Sequence, residues 1–206
     1  MPAKRTRLRP QVRREQLIDS AARLVVAQGF LPLPAERLAK AAGVSKALVY
    51  TYFPEQYALF NSVLERELTA LVTGGLDTAS QVRDLDQAAV LCAMIYFEHV
   101  ARTGPLLNIL MSDRYMSGRI ERRLVRLRNG VLRRLVRLAA DLPLSKKEIL
   151  AAIEMMIAIP EEAGRLVFHE ELDAAVARQI CQSLILSSLQ ALRAPDAALA
   201  GTHHVS

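Results

Sequence analysis

Residues 34–53 read PAERLAKAAGVSKALVYTYF and hold two short helical patterns on either side of a glycine. Leu38, Ala39 and Ala42 supply the apolar side of the first pattern. Gly43 can take the positive φ that ends a helix, and Ser45 can cap the next helix by accepting a hydrogen bond from an early backbone N–H. Helix, tight turn and second helix together make a helix-turn-helix pattern. The second helix, Lys46 to Phe53, mixes a cation, a hydroxyl and two tyrosines, which can hold phosphates and meet base edges in a major groove. Leu38, Val49 and Phe53 would serve equally as the core of an ordinary helical corner.

Charge is concentrated where this pattern lies. Residues 1–53 hold 10 Lys or Arg against 3 acids, and residues 54–206 hold 17 against 18, so the formal +6 of the chain resides in its first quarter. That asymmetry is expected of a chain that meets a polyanion at one end only. Lys4, Arg5, Arg7, Arg9, Arg13 and Arg14 crowd ahead of the first apolar helix. The stretch is too polar to bury. Residues 1–10 read either as a solvated tail or, beside a helix-turn-helix, as a basic arm lying on phosphates or in a minor groove.

With 206 residues and 51% hydrophobic content, the chain can bury the cores of a small domain and a larger one. No apolar run is long and uncharged enough to span a bilayer, and the N-terminus lacks the apolar stretch of a signal peptide, so the expected location is cytosolic. Cys92 and Cys181 lie in different apolar segments without metal-ligand spacing and read as reduced core residues. No metal or cofactor is expected.

Before the motif, Leu17, Ala21, Leu24 and Val25 keep a helical period up to Gly29, and Phe30 is expected to pack beneath the motif. Pro34 suits the first position of a helix. Pro54 opens a fourth helix through Leu59, Phe60, Val63, Leu64 and Leu68, which Thr73, Gly74 and Gly75 break. A domain boundary is expected there, giving domains at 11–71 and 76–194 and a flexible tail at 195–206. Beyond the break the pattern stays helical, over roughly 86–102, 105–113, 118–141, 145–168 and 172–192. No strand alternation lasts, so the class is all-α: an N-terminal three-helix helix-turn-helix domain, then a larger helical regulatory and dimerisation domain, about nine helices in total.

Over residues 11–71 the chain resembles the TetR family of bacterial transcriptional regulators. The likeness is carried by Gly29-Phe30, by LAKAAGVSK from Leu38 to Lys46, and by Tyr50, Tyr52-Phe53-Pro54 and Leu59-Phe60. It implies a homodimer, joined through the last two long helices, that binds a palindromic double-stranded DNA operator and releases it when a small molecule enters the second domain. By position it places Ser45, Lys46, Tyr50 and Tyr52 on the phosphate backbone, with Ala47, Leu48 and Thr51 nearer the bases. The side chains suit those places, since a mobile cation and phenolic donors fix register on phosphates. Ala47 and Leu48 can touch only a thymine methyl, so an A·T-leaning readout is expected, with Thr51 as the hydrogen-bonding reader.

Two positions depart from the family pattern. Leu33 stands where a Thr or Ser usually caps the second helix and touches phosphate, so that contact is absent. Gln56 stands where a Lys usually begins the fourth helix; it can donate to phosphate but brings no charge. The arginine-rich arm can compensate.

In the second half, Arg119, Arg122, Arg123, Arg126, Arg133, Arg134 and Arg137 share one arc of a helix at about 100 degrees per residue, opposite Ile120, Leu124, Leu127, Val131, Leu135 and Leu138. A solvated cationic face, an acidic partner surface and the mouth of an anionic ligand site all fit. Arg128 falls within the apolar arc and must be paired or hydrogen-bonded. Glu154, an isolated acid in ILAAIEMMIAI, is the candidate partner, either in a structural ion pair or lining an effector cavity. Met94, Tyr96, His99, Met111, Tyr115, Met155 and Met156 are further candidates for such a cavity, adaptable or amphipathic side chains suited to a largely apolar ligand with one polar end. Pro160 should kink or break its helix.

An enzyme is not expected: there is no Gly-x-Ser-x-Gly elbow, phosphate loop, HExxH or paired-Cys motif. The alternative within the same fold is an architectural DNA binder or protein-binding adaptor without a small-molecule effector.

Overall fold

The computed structural model describes residues 9–194; the arm residues Arg5 and Arg7 and the tail expected at 195–206 lie outside the described residues. Among these, nine helices of six residues or more and no strand are found. They are α1 (Pro10–Gln28), α2 (Ala35–Ala41), α3 (Lys46–Tyr52), α4 (Gln56–Leu71), α5 (Leu85–Thr103), α6 (Leu106–Ser112), α7 (Arg122–Leu138), α8 (Lys146–Phe168) and α9 (Ala174–Arg193). The all-α expectation holds, with helix ends within a few residues of those read from periodicity.

The described residues form two compact units, residues 9–67 with 106–124, and residues 68–105 with 125–194. In the first unit, Leu17, Ile18, Ala21 and Val25 of α1 are buried, as are Leu38 and Ala39 of α2, Val49 of α3 and Leu59, Phe60, Val63 and Leu64 of α4. Gly29 ends α1 in the left-handed region, where its N–H donates to Val25 O at 2.8 Å. Phe30, expected beneath the motif, is instead 59% exposed, and Leu31 and Leu33 fill the interior after the turn.

The sequence places residues 106–124 in the second domain; in the structure they pack within the first unit. Leu106, Leu107, Leu110 and Met116 are buried, and the stretch is fastened by polar contacts. Leu31 N–H donates to Asp113 Oδ2 at 2.9 Å. Asn61, buried in α4, donates to Arg119 O at 2.9 Å and accepts from Glu121 N–H at 2.9 Å. A buried amide satisfied by two backbone groups distant in sequence fixes that loop, because leaving those groups unpaired would be costly.

In the second unit, α5, α8 and α9 pack around Ala93, Met94 and Phe97, Ala163, and Ala177, Cys181, Ile185 and Leu189. Asp84 caps α5, Ser145 and Glu148 form a capping box on α8, and Asp173 caps α9; each supplies oxygens to N–H groups that the first turn leaves orphaned. Cys92 and Cys181 are free and buried, as expected, and burial raises both thiols to about 11. At Gly164 a Cβ would meet Val100 Cβ at 2.6 Å and Phe97 O at 2.9 Å, so the α5–α8 crossing depends on the missing side chain.

A break was expected at Thr73–Gly75 and a kink or break at Pro160. Thr73–Gly75 belongs to a π-turn, Val72–Leu76, kinked at Gly75 with φ 107 and followed by the short turn Asp77–Ala79. Pro160 is buried inside a helix that runs through it. It removes one backbone hydrogen bond without ending the element.

Candidate functional site

In the first unit, α2 ends at Ala42, Gly43 turns with φ +62, and Val44 N–H closes the turn on Ala39 O at 2.9 Å. Ser45 starts α3, its Oγ accepting from Leu48 N–H at 3.2 Å. The α1 side chains brace this arrangement. Gln16 Nε2 donates to Ala42 O at 2.8 Å, while Arg14 lies 5.1 Å over the Phe53 ring and donates to Ser62 Oγ at 2.7 Å. Arg14, read with the basic arm, is thus part of the scaffold. Arg9 is exposed at the start of α1.

The outer face of α3 presents Ser45, Lys46, Ala47, Tyr50 and Thr51, all exposed, while Leu48 and Tyr52 are half-buried and Val49 faces the core. Thr51 Oγ1 donates to Ala47 O at 3.0 Å, which leaves the hydroxyl oxygen able to accept. Lys46 is not free: its ammonium is paired with the Glu36 carboxylate of α2. The hydrogen bond from Lys46 holds the Glu36 carboxyl below the usual carboxylate range, and Glu36 in turn raises Lys46. Glu36 was not singled out in the sequence, although it ends up beside Lys46, the first residue of α3.

Gln56 differs most from its expected role. Its Oε1 accepts from Leu33 N–H at 2.9 Å and its Nε2 donates to Leu33 O at 2.7 Å, so the amide is turned onto the backbone ahead of α2. Pro34 at the N-cap offers no side-chain cap. The two departures from the family pattern are therefore one linked arrangement.

The ligand candidates scatter. Met111 and Tyr115 sit in the first unit, where Tyr115 meets Phe60 edge-on at 6.0 Å and lies under Arg119; they do not join the other candidates. Glu154 is exposed and Met155 is 69% exposed, so neither lines an interior, and among the described residues no ion pair joins Arg128 to Glu154. Met94 is buried in the α5–α8–α9 core, with Met156 packed against it.

Three candidates do come together, around an acid that was missed. Tyr96 Oη donates to Glu161 Oε2, and Glu161 Oε1 is buried with no hydrogen-bond partner. Burial raises the Glu161 carboxyl, an effect opposed by the Tyr96 hydrogen bond and the nearby, buried His99. Burial and the Glu161 charge raise the Tyr96 phenol, and half-buried Arg128 acts on it in the opposite direction. Arg128 thus faces this cluster. The available signal was the four-residue step Ile153, Ile157, Glu161, which puts all three on one face of α8.

On the cationic helix, Arg123 pairs with Glu65 and Glu121, and Arg134 with Asp77. Arg122, Arg126, Arg133 and Arg137 remain exposed.

Residues 17–63 match the family model described as bacterial regulatory proteins, tetR family. The N-terminal domain is that of the tetR family. Relatives of this TetR-type domain include an HTH-type transcriptional activator, FasR, of Mycolicibacterium smegmatis, 33% identical over 45% of this chain and 44% of its own length. Another is the nucleoid occlusion factor SlmA of Actinobacillus pleuropneumoniae, 34% identical over 47% and 45%. The matched segments span about half the length of these curated relatives. The TetR-like fold extends further. A TetR-like transcriptional regulator from Rhodococcus sp. RHA1 superposes with a TM-score of 0.67 at 19% identity over 89% of this chain and 99% of that one. FadR of Bacillus subtilis, solved with stearoyl-CoA, does so with a TM-score of 0.62 at 16% over 87% and 97%. No helix among the described residues is long and apolar enough to cross a membrane.

Proposed function

We propose that the protein is a ligand-responsive transcriptional repressor that binds a palindromic operator as a homodimer. The observation that carries this reading is the exposed face of α3, with Lys46, Ala47, Tyr50 and Thr51 outward, inside a TetR-type domain. Phosphate contact then falls to Ser45, Lys46, Tyr50 and Tyr52 and to the basic arm with Arg5, Arg7 and Arg9. Base contact falls to Ala47, Leu48 and Thr51. Gln56 keeps its place by orienting α2.

A homodimer is supported by apolar surface on the last two helices. Val176, Ile180 and Leu184, at 46, 45 and 49% exposure, recur every four residues on α9, and Leu150 and Met155 are exposed on α8. Large apolar side chains recurring along one helix face mark an interaction surface. Effector response is supported by the cluster of half-buried Tyr96, Arg128 and Glu161 with buried His99 beside the apolar core of the second unit, convergent polar groups of the kind that orient a ligand. Ligand would act by favouring a conformer in which the two recognition helices no longer match successive major grooves, roughly 34 Å apart.

The similarity to a nucleoid occlusion factor favours a second reading, a DNA binder that needs no small molecule. Selection of bound duplexes from a random pool by the full-length protein tests the main one. Enrichment of an inverted repeat is expected; sequences without two-fold symmetry, or no enrichment, would contradict it.

A further inference from the structure

The Glu161 carboxylate is half engaged. One oxygen accepts from Tyr96, whereas the other is buried without a partner. An ionised carboxylate is an acceptor only, and a buried acceptor left unmade carries the full cost of its lost hydration. The groups facing it set the sign of what would satisfy it. Burial most of all disfavours the ionised form, with Glu162 on α8 adding to it, while the Tyr96 hydrogen bond and His99 on α5 favour it, and Arg128 on α7 acts on Tyr96. An anionic head placed at the orphan oxygen would meet a like charge, while a cationic donor would satisfy the atom and neutralise the buried charge together. Ile153 and Ile157 continue the same face of α8 toward its N-terminus, and both are partly buried. A polar anchor at one end of an apolar row suits a ligand with one charged end and a hydrocarbon body.

We propose that Glu161, with its Tyr96 hydrogen bond, is the polar anchor of a ligand site for amine-headed amphiphiles, the protonated nitrogen donating to Oε1 and the tail lying along Ile157 and Ile153. The assignment deepens the ligand-responsive reading and rests on it. Tyr96 is a positioning residue: its hydroxyl holds one carboxylate oxygen, so the other faces the ligand.

Three probes with one tail and different heads separate the possibilities: octylammonium, 1-octanol and octanoate, each titrated calorimetrically into the full-length protein. Octylammonium is expected to bind at least about tenfold more tightly than either of the others, the range of a charge-assisted hydrogen bond. In Glu161→Gln, which keeps shape and an acceptor for Tyr96, that preference should vanish while the thermal midpoint shows a folded protein. The head-group ranking in the unaltered protein needs no variant, so a poorly folding Glu161→Gln leaves the test intact. Equal binding of all three, no binding of octylammonium, or a preference that survives Glu161→Gln would overturn the proposal and leave a carboxylate satisfied by water alone. Octanoate preferred, and lost in Arg128→Met, would overturn the amine class while the ligand-responsive reading stands. Octylammonium held by Glu161 without any change in operator affinity would keep the anchor and contradict that reading instead.

Discussion

Gln56 holds Leu33 from both sides, accepting from its N–H at 2.9 Å and donating to its carbonyl at 2.7 Å. Leu33 is 3% exposed, so both backbone groups need a protein partner. A capping hydroxyl on the entry to α2 and a lysine on α4 are exchanged here for a hydrophobe and an amide that tie the two elements together. Gln56→Ala should cost about 1–3 kcal/mol, the range for orphaning buried hydrogen-bonding groups. Urea unfolding measures it. Gln56→Lys should be destabilised as well, since lysine offers no acceptor to Leu33 N–H.

Glu36 is paired with Lys46, so in the proposed complex it would compete with DNA phosphate for that ammonium. Glu36→Gln should strengthen binding to all duplexes alike and steepen its salt dependence, as the freed ammonium neutralises one more phosphate. The Lys46 hydrogen bond lowers the Glu36 pKa, so the pair is intact above the ordinary carboxylate range and is lost as pH falls through the lowered value. Near neutral pH, affinity of the unaltered protein should therefore not depend on Glu36 titration. Fluorescence anisotropy across salt and pH checks both statements; an unchanged salt slope in Glu36→Gln would count against the competition.

The helical class, the order of the helices and the turn that leaves one face of α3 exposed were legible in the sequence, because Gly43, Ser45 and the apolar spacing act locally. What was not legible depended on contacts distant along the chain. Asn61 gathers residues 119–121 onto α4 through backbone groups that no periodicity reveals, and Met111 and Tyr115 lie in that same unit, apart from the other cavity candidates. Glu154 drew attention as an isolated acid in an apolar run. Yet the face of α8 that carries it is exposed, and the acid that meets Tyr96 stands seven residues later. Charge counting also missed Glu36, whose effect comes only from its place beside Lys46.

Gly164→Ala should destabilise the second unit. The new methyl would sit 2.6 Å from Val100 Cβ and 2.9 Å from a backbone oxygen, so α5 and α8 must separate. Overpacking of this kind costs roughly 1–3 kcal/mol. A lowered thermal midpoint is expected, and an unchanged one would show that the crossing is looser than described.

Ile180→Glu and Leu184→Glu should produce a folded monomer, because both side chains are nearly half exposed on one face of α9. Light scattering after gel filtration reads the mass. The monomer should also lose most of its operator affinity, since one recognition helix cannot span two half-sites.

The central claim is that two copies of α3 read two half-sites of one operator. Hydroxyl-radical footprinting on the duplex selected by the full-length protein tests it most directly. Two symmetric protections on one face, centred roughly 34 Å apart or a multiple of that, are predicted, with A·T pairs opposite Ala47 and Leu48 and both protections weakened equally by Tyr50→Ala. A single protection, or a pair unaffected by Tyr50→Ala, would contradict it.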